Sequence, residues 1–189
     1  MSPLCSDQRH ELLSRARQAI AEAVRGERPA APLPRSLSGS QSNEEKTYGA
    51  FVTLNCSGRL RGCVGQIETV GSLAEVVERC AVAAATEDVR FAPVSLDDLA
   101  QLEIEISLLS PLEPVAPAGI EIGRHGLVVE QGMHRGLLLP QVAVERHWQW
   151  QRFIEETCVK AGLRRDAWKD AGTRTFAFTA EIFSDASGR

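Results

Sequence analysis

The sequence contains no apolar run that approaches the roughly 18 residues a membrane-spanning helix requires. Its first residues form neither a basic nor an apolar segment, so a signal peptide is not expected. The cysteines are odd in number and include no C-x-x-C pair, which argues against a disulfide framework and against structural zinc. We therefore expect reduced thiols and a cytoplasmic location. The cysteines are Cys5, Cys56, Cys63, Cys80 and Cys158.

Residue patterns that hold metals or phosphates are also missing. The four histidines show neither H-x-H nor H-x-x-x-H spacing, so no metal site is predicted. No glycine-rich loop follows a strand and opens a helix, as a nucleotide-phosphate cradle would. The formal net charge of −4 argues against a general nucleic-acid-binding surface. No cofactor is predicted, and neither nucleic acid nor a membrane is expected as a partner.

The composition is that of a globular protein, with 43% hydrophobic and 24% charged residues. Apolar residues recur at helical spacing over 7–26 and predict an amphipathic helix. Residues 27–46 are rich in proline and serine and predict a flexible loop. We predict one domain over 1–189, with a first half over 47–115 and a second half over 116–183.

The first half shows the order hairpin, helix, strand. Strand-forming residues on both sides of a turn at 55–58 predict the hairpin. Ser72 and Glu75 have the spacing of a capping box and predict the start of a helix. Residues 101–109 alternate strictly between apolar and polar, which is typical of a half-buried strand.

The second half repeats this order without obvious sequence identity. A glycine-flanked turn at 123–126 predicts a hairpin, apolar spacing predicts a helix over 144–161, and alternation over 174–183 predicts a closing strand. The expected fold is α+β, with largely antiparallel sheets covered by helices and arranged as two subdomains. The shared order suggests a hairpin–helix–strand repeat.

The segment Leu60–Gly65 is the most unusual stretch, because Gly62 and Gly65 lie within a strand pattern and leave room for something to approach the backbone. In an extended strand Arg61 and Cys63 project from the same face, and a guanidinium beside a thiol favours the thiolate. This arrangement would suit a nucleophilic cysteine. The alternative is that Cys63 is a small buried hydrophobe, that Arg61 pairs with a structural carboxylate and that the glycines mark a bulge.

Four further residues are candidates for a binding site. Asp88 and Arg90 could frame a cleft beside Cys63, or could form an ion pair that fixes their loop. Glu105 lies on the polar face of its strand and could act as a base if that face covers the Cys63 strand; otherwise it is solvated or paired with an arginine. His125 lies in a turn and could contribute to a binding site. The alternative is that it is a surface histidine without such a role.

Three segments make the chain resemble the AMMECR domain family. They are Phe51–Leu54, Leu60–Gly65 and Asp88–Pro93, and further matching segments extend the resemblance over roughly residues 7–183 in the same order. Val64 stands where isoleucine is usual, and Val89 where proline is usual.

The resemblance implies an α+β fold in two subdomains, and it maps the family's signature onto Leu60–Gly65. Its microbial members are known as AmmeMemoRadiSam system protein A. They are associated with a Memo-like protein and a radical SAM protein, which suggests a shared pathway. The family's biochemical activity is not established.

Two functions therefore stay open. In one, the chain is a thiol-dependent enzyme or enzyme component that uses Cys63 and Arg61. In the other, it is a non-catalytic adaptor whose Arg61–Gly65 segment is a docking groove for a partner protein.

Overall fold

The computed structural model describes residues 4–27, 48–69 and 72–185. The predicted loop over 27–46 lies outside these residues apart from Glu27. The chain divides into two compact units, one formed by Met1–Leu108 with Glu181–Arg189 and the other by Leu109–Ala180. None of the described helices is long and apolar enough to cross a membrane.

Four α-helices and eight strands are defined among the described residues. The helices are α1 (Ser6–Arg25), α2 (Leu73–Thr86), α3 (Pro140–Glu145) and α4 (Trp150–Lys160). The strands are β1 (Tyr48–Cys56), β2 (Arg59–Thr69), β3 (Leu102–Leu109), β4 (Glu113–Pro114), β5 (Gly126–Gln131), β6 (His134–Leu138), β7 (Arg174–Phe178) and β8 (Ala180–Ser184).

The first unit contains a four-stranded sheet in the order β2-β1-β3-β8. Alternate residues of β1, such as Val52 and Leu54, are fully buried and join one core with the apolar faces of α1 and α2. The predicted capping box starts α2, since the Ser72 hydroxyl accepts the N–H of Glu75 and the Glu75 carboxylate accepts the N–H of Ser72. The helices therefore cover one face of this sheet.

The second unit has its own four-stranded sheet, in the order β4-β7-β5-β6, and its own core. Phe153 and Ile154 of α4 are fully buried in that core with Leu127 and Val129 of β5. The α+β prediction with antiparallel sheets is confirmed. In each sheet the strand that follows the helices lies beside the first strand of the hairpin, but the suggested repeat stays a prediction.

Three predicted elements of the second half differ from the structure. The second hairpin is formed by β5 and β6 around Gly132 and Met133, whereas Gly123 lies in the turn before β5 and Gly126 is the first residue of β5. The predicted helix over 144–161 is interrupted, because His147 adopts a left-handed φ of 54° between α3 and α4. The predicted closing strand is two strands in different sheets.

Thr179 separates those two strands. Its carbonyl oxygen accepts the N–H of Ser110 at 2.9 Å, and its own N–H donates to the Ser110 hydroxyl at 3.0 Å. These bonds end β7, after which the chain continues as β8 in the sheet of the first unit. Alternation along 174–183 shows none of this, because the polarity pattern continues unbroken through Thr179.

Candidate functional site

Cys63 lies on β2, the outermost described strand of the first sheet. Its neighbours in sequence, Gly62 and Val64, face α2 and the core, so that the Cys63 side chain lies on the opposite face. The residue is half-buried and its thiol is free. Cys63 is therefore not the fully buried hydrophobe of the alternative interpretation.

Asp88 and Arg90 bind the backbone N–H and carbonyl oxygen of Cys63 at the edge of β2 that does not face β1. The Asp88 carboxylate accepts the N–H of Cys63 at 2.9 Å, and Nη2 of Arg90 donates to the Cys63 carbonyl oxygen at 3.1 Å. The N–H and the carbonyl oxygen of Cys63 therefore point away from β1. They are bound as they would be by a further strand added at this edge. The pair acts in place of a neighbouring strand at this point of the sheet edge.

The two residues also form a bidentate ion pair with each other. Nε and Nη2 of Arg90 donate to the two Asp88 oxygens at 2.9 and 2.6 Å, and the Arg90 N–H donates to Asp88 at 3.2 Å. These bonds from Arg90, with the bond from Cys63, hold the pKa of Asp88 well below its usual range. The hydrogen bonds to Asp88 raise the pKa of Arg90, and the neighbouring Cys63 adds to that rise.

The turn that carries this ion pair is closed by a hydrogen bond from the N–H of Phe91 to the carbonyl of Asp88, at 3.0 Å. Val89 therefore occupies a hydrogen-bonded turn without the usual proline. The guanidinium of Arg90 lies over the Phe91 ring, 5.4 Å from its centre. Asp88 and Arg90 thus form the ion pair that fixes their loop and also contact the Cys63 backbone, while a cleft framed by them stays a prediction.

The sulfur of Cys63 receives a hydrogen bond that the sequence analysis did not predict. The Thr53 hydroxyl on β1 donates to Sγ at 3.3 Å. Thr53 is the register partner of Cys63 because β2 contains an irregularity between the pairs Asn55–Leu60 and Leu54–Gly62. Counting back from the turn without that extra residue pairs Thr53 with Gly62, so the sequence alone points to the wrong partner.

Arg61 is the extra residue at this bulge, and its guanidinium binds the loop after Asp88. It donates to the carbonyl oxygens of Ala92 and Pro93 and to the Asp98 carboxylate, the last two at 2.8 and 3.2 Å. Among the described residues these are the hydrogen bonds of the Arg61 guanidinium, and none of them is to the Cys63 thiol. A bulge changes the direction of side chains, and here it directs the cation to the loop.

Asp98 completes this second attachment. Its carboxylate accepts the N–H and the hydroxyl of Ser95 at 2.8 and 2.9 Å, as well as the bond from Arg61. The bonds from Ser95, followed by that from Arg61, lower the pKa of Asp98. Arg61 thus pairs with a structural carboxylate, which is the alternative that the sequence analysis left open.

The two glycines of the segment have packing partners. A Cβ at Gly62 would overlap the carbonyl oxygen of Ala84, so the missing side chain lets α2 approach β2. A Cβ at Gly65 would overlap the ring of Phe51, its register partner on β1. Ala84 and Phe51 therefore occupy the positions that side chains at these two glycines would take, and a role of Gly62 and Gly65 in ligand binding stays a prediction.

None of the hydrogen bonds described above for Cys63 involves Glu105 or His125. Glu105 lies on β3, which β1 separates from β2 in the sheet. His125 belongs to the second unit, where its Nδ1 accepts the N–H of Glu121 at 3.2 Å and closes a turn. The described residues contain no group of three or more histidine, cysteine, aspartate or glutamate side chains that could hold a metal ion.

The chain is thus an α+β protein of two units, in which an ion pair binds the backbone of a cysteine at one sheet edge. A profile of the family described as AMMECR1 matches residues 13–183. A protein of Methanothermobacter thermautotrophicus is 41% identical over 191 residues, which cover 97% of each chain. One of Thermococcus gammatolerans is 42% identical over 188 residues, covering 92% of this chain and 88% of the other.

Among solved structures, the crystal structure of uncharacterized protein PH0010 from Pyrococcus horikoshii is similar, with a TM-score of 0.81 and 38% sequence identity. The match covers 93% of this chain and 90% of that chain. The chain therefore belongs to the AMMECR1 family, and the resemblance inferred from its motifs is confirmed.

Proposed function

We propose that this protein carries out a thiol-dependent step in which Cys63 is the reacting group. The observation that supports this most is the hydrogen bond from the Thr53 hydroxyl to Sγ of Cys63, a half-buried residue, at 3.3 Å. A hydroxyl donor stabilises negative charge on sulfur, and the thiolate is the nucleophilic form of cysteine. In this proposal the group that stabilises the thiolate is the Thr53 hydroxyl, and not the Arg61 guanidinium.

In this proposal Asp88 and Arg90 are positioning residues with respect to Cys63. They bind its N–H and carbonyl oxygen and so fix the backbone from which the thiol projects. A nucleophile held by its backbone loses less freedom when it reacts, which is the benefit of a preorganised site. Arg61 acts one step further away, because it attaches the loop that follows Asp88.

The test is alkylation of the full-length protein by iodoacetamide over a range of pH, read for each cysteine by peptide mass spectrometry. Cys56 is the internal reference, since it is half-buried on the same hairpin. Cys63 is expected to react faster than Cys56. Labelling of Cys63 no faster than Cys56 would contradict the proposal.

Two substitutions of Thr53 assign the effect to its hydroxyl. Thr53→Val keeps the shape of the side chain but removes the donor, and should slow Cys63 alkylation about fivefold, the equivalent of one ordinary hydrogen bond. Thr53→Ser keeps the donor and should retain the rate. Equal rates in the wild type and Thr53→Val would remove the hydroxyl from the mechanism.

A second candidate function is that of an adaptor. The segment attached by Arg61 and Arg90 exposes two apolar side chains, Val89 at 98% and Leu96 at 59%. Exposed apolar groups on a firmly attached loop suit a protein interface. A Memo-like protein or a radical SAM protein of the same cytoplasmic pathway would be the partner.

Co-purification with the Memo-like protein separates this candidate from the first. An adaptor should lose its partner on combined Val89→Ser and Leu96→Ser substitution, and keep it on Cys63→Ala. Met133→Ser is the matched control, because Met133 is 99% exposed and belongs to the other unit. Retention of the partner by the double variant would exclude this surface.

A further inference from the structure

The guanidinium of Arg90 has donors that its own loop does not use. A guanidinium carries five N–H groups. In Arg90, Nε and Nη2 donate to Asp88, and Nη2 also donates to the Cys63 carbonyl oxygen. None of the hydrogen bonds found among the described residues uses Nη1, and 55% of the side chain is exposed. Two N–H donors are therefore left for another molecule.

These donors lie next to Cys63 by the covalent geometry of the guanidinium. Nη1 and Nη2 are bonded to the same carbon. One N–H of each points to the far end of the planar guanidinium group, so these two N–H bonds lie side by side. Because Nη2 donates to the carbonyl oxygen of Cys63 at 3.1 Å, Nη1 is held beside the residue that carries the thiol. A ligand bound by Nη1 would be close to that residue.

The ion pair also presents its positive member to solvent. The Asp88 side chain is only 6% exposed, whereas Arg90 is 55% exposed. Both Asp88 oxygens are already bound, one by the N–H of Cys63 and both by Arg90. Asp88 thus orients the guanidinium, and its own charge is turned towards the protein. Arginine is well suited to bind planar carboxylates.

We infer that Nη1 of Arg90 binds a carboxylate group of the compound on which Cys63 acts. This inference rests on the proposed thiol function and adds to it the chemical class of the substrate, an electrophile that carries a carboxylate. Arg90 then has two tasks, since it holds the Cys63 backbone through Nη2 and selects the ligand through Nη1.

A pair of alkylating reagents tests this selection in the full-length protein. Iodoacetate and iodoacetamide react alike: the thiolate sulfur bonds to the methylene carbon, and iodide leaves with the electrons of the carbon–iodine bond. Only iodoacetate carries a carboxylate. We expect the ratio of the two rates, iodoacetate over iodoacetamide, to be about tenfold higher at Cys63 than at Cys56, as one charge-assisted hydrogen bond provides.

Variants assign the preference to Arg90. Arg90→Gln should bring the ratio at Cys63 down to that at Cys56, whereas Arg59→Gln should leave it unchanged. Arg59 is the matched control because it is an exposed arginine on the same strand. Persistence of the preference in Arg90→Gln would overturn the assignment.

The wild type alone also decides the question, should Arg90→Gln not fold. Acetate should slow the labelling of Cys63 by iodoacetamide, leave Cys56 unaffected and protect more strongly than inorganic phosphate. No protection, or protection by phosphate alone, would overturn the carboxylate assignment.

The two proposals fail in different ways. Rapid labelling of Cys63 by both reagents, with the ratio found at Cys56, overturns the carboxylate inference and leaves the thiol function standing. Slow labelling by both reagents, with a raised ratio, supports binding at Arg90 and contradicts the thiol function.

Discussion

The Asp88 carboxylate accepts the backbone N–H of Cys63 at 2.9 Å, across 25 positions of the chain. A carboxylate that accepts several hydrogen bonds favours its charged form, and Asp88 also binds the guanidinium of Arg90. The bond connects the segment after α2 to β2 at the sheet edge. The negative charge of Asp88 therefore helps to fix this segment against β2.

Replacement of Asp88 should make this connection visible in the pH dependence of stability. The pKa of Asp88 is depressed in the folded protein, so ionised Asp88 stabilises the fold above the unfolded-state pKa of about 3.9. That contribution is lost as the pH falls through about 4 towards the folded-state pKa. Asp88→Asn should therefore lower the free energy of unfolding near about pH 7, and less so in acid.

Urea unfolding followed by circular dichroism at several pH values measures this difference. Asp97→Asn makes the same change of charge at an exposed position of the same segment and serves as the control. A gap between wild type and Asp88→Asn that stayed constant into acid would show that the carboxylate charge is not the stabilising feature.

Arg61 should matter for the stability of the loop that it binds. Its side chain is 20% exposed, and it donates to two carbonyl oxygens and to Asp98. Arg61→Gln should cost about 1–2 kcal/mol of unfolding free energy, since bonds to a charged, partly exposed group are lost. Hydrogen exchange of the Ser95 N–H, which Asp98 accepts, should become faster.

The control for Arg61 is the exposed Arg59 on the same strand. Arg59→Gln should leave both the unfolding free energy and the exchange of Ser95 close to the wild-type values. If the two variants behaved alike, the contacts of Arg61 with the loop would contribute nothing to its stability.

Local patterns were sufficient for much of the first unit. Ser72 and Glu75 form the predicted capping box, because both partners lie within one turn and need no other element. The strict alternation over 101–109 corresponds to β3, where Ile104 and Ile106 are fully buried. These features depend on the order of residues over short distances.

The site depended on information that no short segment contains. The pairing of Thr53 with Cys63 requires the bulge at Arg61, whose guanidinium binds the loop after Asp88. The bond from Arg90 to Cys63 spans 27 positions. The sequence therefore indicated Asp88 and Arg90 as possible neighbours of Cys63, but it named Arg61 as the cation beside the thiol, whereas the guanidinium that binds the Cys63 backbone is that of Arg90.

Gly62 should be required for packing, whatever its part in function. A Cβ there would overlap the Ala84 carbonyl oxygen, and helix backbone cannot move aside as a flexible side chain can. Gly62→Ala should cost about 3 kcal/mol or more of unfolding free energy. Gly172→Ala is the control, since nothing lies within 4 Å of a Cβ at Gly172, and it should change stability by less than about 0.5 kcal/mol.

The buried thiols should be the slowest to react, and they define the lower limit against which Cys63 is judged. Burial raises the pKa of Cys80 and of Cys158, which are 2% and 0% exposed. In the native protein near about pH 8, both should be alkylated more than about tenfold more slowly than Cys56. In denaturing urea all three should react at similar rates, because burial is then lost. Native labelling of Cys80 as fast as that of Cys56 would contradict the packing of α2 against β1.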